Sequence, residues 1–154
     1  MNIEEVAKFE PKIEKGKLIV YVTVMGIEIT DLRILSFITK LEQLLHELSN
    51  DKIKEFYFVF NIDEMIIPTK FTMLKNFADM FIKHRETILE KLNFSVVQSK
   101  SNIFKMFFGL FKRHYVPVKP LYLCKNENDV ASCIFEPETR SKYPNIINMI
   151  SEGK

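Results

Sequence analysis

Three histidines, one adjacent pair of carboxylates and two cysteines are the side chains of this 154-residue chain best suited to chemistry. His46, His84 and His114 lie far apart, each on an expected helix or at its end, so a triad or a metal centre would require the fold to gather them. The glycines at 16, 26, 109 and 153 are isolated, and the chain has neither a phosphate-cradling loop nor a nucleophile elbow. Cys124 and Cys133 stand nine residues apart without a nearby His. That spacing matches no common zinc arrangement, and the pair reads as buried thiols. The chain therefore reads as non-enzymatic, with no metal and no cofactor expected.

Asp63 and Glu64 sit at the end of an apolar run, where open α/β sheets hold their ligands. Adjacent carboxylates can bind a cation or act as acid and base. The favoured reading is structural: Asp63 satisfies backbone donors in the turn before the next helix, and Glu64 is solvated. Thr69 is the only hydroxyl between Asp63 and Thr69. It either caps the following helix or accepts phosphate as a switch, and its position favours the cap.

The segment from Ser101 to Tyr115, SNIFKMFFGLFKRHY, is the strongest signal. At about 100° per residue, Ile103, Phe104, Met106, Phe107, Phe108, Leu110 and Phe111 fill roughly 200° of a helix, with Lys105, Gly109, Lys112 and Arg113 in the remainder. A helix lying on a sheet needs an apolar stripe of only about 100°. The excess, on a flank with Phe104 and Phe108 or Met106, needs a cover. Three covers stay open: the tail after Glu136, a protein partner or second copy of the chain, and a lipid or anionic membrane surface. Nucleic acid is not expected, because these rings sit at core spacing rather than on a groove.

The elements that must position these residues follow from hydrophobic pattern. Phe9 to Ile13 and Lys17 to Val24 form a hairpin about Glu14-Lys15-Gly16, and LIVYVTV is a central strand. Thr30-Asp31 caps an amphipathic helix carrying Leu32, Leu35, Ile38, Leu41, Leu45 and Leu48. Glu55 to Ile62 is a strand covered on both faces. A long helix over 70–92, a strand over Phe94 to Gln98, the helix of Ile103 to Phe111, a strand over Leu121 to Cys124 and a helix over Asn126 to Phe135 follow. The tail is expected to run over the surface to a helical turn at Asn145 to Ile150. The order ββαβαβαβα makes one α/β domain over 1–154, with a mostly parallel sheet of about five strands and an antiparallel edge hairpin.

Composition bounds the class. With 47% hydrophobic residues and 14 Phe against no Trp, the chain can bury a large core without many polar ring atoms. No apolar run reaches the roughly 18 residues that span a bilayer, and Met1 to Glu10 carries acids where a signal peptide needs cations. A cytoplasmic location is expected. The net charge of +2 is uneven: from Lys91 to Lys125 there are seven cations and no acid, leaving 15 cations against 20 acids elsewhere.

This order, with particular residues in it, resembles the STAS domain of anti-sigma-factor antagonists and the related CRAL-TRIO lipid-binding fold over about residues 9–135. Val24-Met25-Gly26-Ile27 is similar to the STAS strand that ends in Gly before its first helix. Phe58-Val59-Phe60-Asn61-Ile62-Asp63 is similar to the strand that in both families ends in Asp before a loop and a long helix. His84 to Leu92 and Phe94 to Lys112 resemble the helix end, strand and mobile helix of CRAL-TRIO proteins. The resemblance implies a regulatory module working through protein–protein interaction or, alternatively, a lipid binder using the helix within 101–115. Where STAS antagonists carry a phosphorylated serine, this chain reads Glu64-Met65-Ile66-Ile67-Pro68-Thr69.

Overall fold

The structure is a computed structural model, and it describes residues 5–66, 73–101, 103–142 and 146–149. Strands β1 (Ala7–Glu14) and β2 (Lys17–Val24) form the antiparallel hairpin. Its turn puts both Lys15 (φ 49°) and Gly16 (φ 78°) in the left-handed region, the signature of a tight hairpin turn whose twist matches the strands. Helix α1 (Asp31–Leu48) starts where expected, with the Thr30 side chain accepting from the Arg33 amide. Its buried stripe is Ile34, Phe37, Ile38, Leu41, Leu45 and Leu48; Leu32 and Leu35, expected on it, are exposed because the first two turns bury Ile34 and Phe37 instead.

β3 (Phe56–Asn61) follows, parallel to β2. Next come α2 (Met73–Lys83) and α3 (Arg85–Lys91), then β4 (Leu92–Gln98) beside β3. The single helix expected over 70–92 is thus two within its described part, divided at His84 (φ −102°, ψ 18°). Leu92 opens the strand instead of closing the helix. No Pro or Gly marks this break. It sets His84 and Lys83 against Glu42 of α1, at 3.1 and 3.0 Å.

α4 (Ile103–Phe111) leads to β5 (Leu121–Cys124), parallel to β4, and α5 (Glu127–Phe135) is capped by Asn126. The tail departs from expectation. It forms a short helix, α6 (Thr139–Lys142), and then β6 (Ile147–Asn148), antiparallel to β5, where a helical turn was expected. The physical reason is the open edge of β5, whose carbonyls need donors: Met149 gives its amide to Leu121 at 2.8 Å. The Arg140 guanidinium lies 4.3 Å from the Phe94 ring centre, and its Nε donates to the Cys133 carbonyl at 2.6 Å.

The sheet order is β1-β2-β3-β4-β5-β6, so every strand lies beside its neighbour in sequence. One face carries Val20, Val22, Phe56 and Phe58 against α1 and α2, continuing to Val97, Leu121 and Leu123 under α4. The other face carries Ile19, Tyr57, Val59, Phe94 and Val96 against α5. β3 is therefore covered twice, as its continuous apolar run demanded. Among the described residues no helix is long and apolar enough to cross a membrane.

Candidate functional site

The chemistry-bearing side chains are not gathered into one place. His46 is exposed on α1 and His114 is exposed beyond α4, while His84 is half-buried against Glu42. The hydrogen bond to His84, with that to Lys83, holds the Glu42 carboxyl below the usual carboxylate range. No group of three or more His, Cys, Asp and Glu among the described residues could hold a metal ion. Cys124 and Cys133 are buried free thiols between β5 and α5. Contact with the Cys133 thiol and then burial push the Cys124 thiol up, which makes it a poor nucleophile.

Asp63 takes the structural role. One oxygen accepts from the Gln98 side-chain amide at 2.9 Å and the other from the Lys100 backbone amide at 2.8 Å, tying the end of β3 to the end of β4. Glu64 is exposed. Its carbonyl oxygen lies 3.2 Å from where a Cβ on residue 26 would stand, so the glycine that ends the β2 segment lets the two strand ends approach. Thr69 lies outside the described residues.

The segment Ser101 to Tyr115 behaves differently from its pattern. Phe108, expected on the uncovered flank, is only 4% exposed and packs with Val97, Leu121, Leu123 and Met149. Phe104 stacks on Phe108 with ring centres 5.7 Å apart, and Phe111 meets Phe81 of α2 edge-on at 6.1 Å. The wide apolar arc is satisfied because three surfaces share it: the sheet, α2 and the returning tail. Met106 remains open at 51%, and Lys105 and Arg113 are exposed beside it. Lys112 places its ammonium 5.2 Å from the Phe108 ring centre. The side chain of Ile103 lies outside the described residues.

Packing α4 on its neighbours leaves a cavity of about 270 Å³ between the sheet and α1, α2 and α4. Phe58, Phe60 and Val97 line it from the sheet, Phe37 and Leu41 from α1, Leu74, Phe77 and Phe81 from α2, and Phe104, Phe107, Phe108 and Phe111 from α4. The segment from Tyr115 to Leu121 closes one side. In this described lining Ser95 and Tyr115 are the only hydroxyl residues and Lys119 the only charged one. The Tyr115 phenol is pushed up by burial, which outweighs the opposing hydrogen bond with the Val118 backbone. An engineered apolar cavity of about 150 Å³ is large enough to bind benzene, so this volume is ample for a ligand.

A second hollow of about 350 Å³ lies on the opposite face, beside α5. It is lined by Glu10, Lys12, Glu14, Tyr21, Thr23, Asn61 and Gln98 among others. Tyr21 donates to Glu14 at 2.9 Å there, and burial together with that carboxylate pushes its phenol up. Its charged groups come mainly from the hairpin edge, where Lys12 pairs with Glu10 at 3.7 Å.

Sequence reasoning found the helix over 103–111 and missed the cavity beneath it. The wall residues Phe37, Phe77 and Phe81 have the spacing of ordinary core. No protein-family model matches the chain, and no curated protein matches it.

Proposed function

We infer that this domain is a non-catalytic binding module that holds a hydrophobic ligand in the cavity between its sheet and α1, α2 and α4. The observation that carries the reading is the lining: a space of about 270 Å³ walled almost wholly by Phe, Leu, Val, Ile and Pro side chains. Such a space offers water few partners, and an empty void forfeits the dispersion contacts of its walls. An apolar ligand regains them, and pockets of this kind are the usual small-molecule sites of small domains. The resemblance to CRAL-TRIO proteins points the same way.

The test is fluorescence titration with the neutral probe N-phenyl-1-naphthylamine, beside native mass spectrometry of the purified protein. Saturable binding to the native chain and its loss in Val97→Phe, which fills the cavity from β4, are expected. A native protein that leaves the probe dark sinks the reading.

A second reading, a STAS-like regulatory module that docks a protein or a second copy through α4, draws support from Met106 at 51% and Val116 at 63% exposure beside Lys105 and Arg113. Since Phe104 and Phe108 turn inward, its apolar anchor is small. Size-exclusion chromatography of Met106→Asp against the native chain tests it.

A further inference from the structure

We propose that the ligand of this cavity is a single-chain amphiphile with an anionic head, and that Lys119 receives the head. The proposal rests on the hydrophobic-ligand reading and adds the class of molecule.

Three observations carry it. First, Lys119 is the sole charged residue of the described lining, half-buried between Pro117 and Leu121, where its methylenes can cover apolar wall while the ammonium stays at the rim. Second, Lys119 takes part in none of the described ion pairs, such as those of Lys12 with Glu10 and Lys83 with Glu42. A cation beside an apolar hollow that takes part in none of the described ion pairs favours an anion there. Third, the volume limits the tail. Scaling from the six carbons of benzene in about 150 Å³ gives ~11 carbons in this space, one chain and not two.

The rest of the lining excludes other heads. A cationic amphiphile would place like charge beside Lys119. A sugar or other multiply hydroxylated head would find only Ser95 and Tyr115 as side-chain hydroxyls in the described lining.

The experiment compares decanoate, decyl sulfate, decanol and decylamine as competitors of N-phenyl-1-naphthylamine. Decanoate and decyl sulfate are expected to bind about fivefold more tightly than decanol, as one partly solvated ion pair allows, and decylamine more weakly than decanol. Lys119→Gln should remove the preference while decanol affinity stays unchanged. Lys119→Arg should retain it, and Lys105→Gln, exposed on the other side of α4, should leave it intact. Equal affinities for decanoate and decanol, or a preference that survives in Lys119→Gln, overturn the proposal and leave the cavity reading standing. Failure of the neutral probe to bind overturns both.

Discussion

Tyr115 stacks on Phe81 with ring centres 5.6 Å apart and planes 17° from parallel. The contact fastens the turn after α4 to α2 across the mouth of the cavity, and Phe111 meets both rings edge-on or tilted. Two helices that share few other contacts are thereby held at a distance that leaves space beneath them. The cavity is a product of this spacing.

Phe81→Ala should therefore lower stability by about 2–4 kcal/mol, near the lower part of the range for aromatic truncation because Phe81 is only half-buried. Phe81→Leu keeps most of the volume and should cost only the ring pairing, ~1 kcal/mol. Urea unfolding of the two variants checks the difference. Equal losses would show that ring geometry, and not volume, holds α4.

Thr30→Ala removes the hydroxyl that accepts from the Arg33 amide at 3.2 Å and should cost about 1 kcal/mol, with Thr30→Ser restoring most of it. Because α1 forms one wall of the cavity, the same denaturation curves report whether weakening that wall also lowers probe affinity.

Arg140→Ala should release the tail. The guanidinium lies over Phe94 and bonds the Cys133 carbonyl, together worth about 1–2 kcal/mol. The readout is hydrogen exchange at Met149, whose amide bonds Leu121. Faster exchange there with unchanged exchange in β2 and β3 is expected; uniform acceleration would mean that the tail and the sheet open together.

Two groups give opposite pH dependences. Glu42 is held low by its hydrogen bonds to His84 and Lys83, so its contribution is present above the ordinary carboxylate pKa of about 4.3 and is lost as pH falls through the folded value. Glu42→Gln should flatten the fall in urea midpoint between about pH 5 and pH 3. Tyr115 is held high by burial, so its contribution is present below pH ~10 and is lost as pH rises through the folded value. Tyr115→Phe should remove part of the alkaline loss.

Much of the fold was legible from local pattern. LIVYVTV and EFYFVFNI declare central strands, and Thr30-Asp31 marks the start of α1. Three features were not. The break at His84 has no Pro or Gly, and the partner His84 meets there, Glu42, stands 42 residues away in sequence. β6 is two residues long and exists because β5 needed an edge partner, a demand that Ile147 and Asn148 do not themselves announce. The cavity belongs to no single element. Periodicity reports which side of a helix turns inward, not how far apart its neighbours stand, so α4 displayed an apolar excess while the space below it stayed hidden.

The sequential strand order sets the sequence in which the molecule can be completed during synthesis. When residues up to 101 have emerged, β1 to β4 can pair in turn and α1 to α3 can cover part of one face, yet Val97 and Leu121 lack their lid because α4, β5 and β6 are still to come. Strands β1 to β4 thus precede the elements that roof the chamber, and the apolar face at Val97 stays open until α4 and β5 follow.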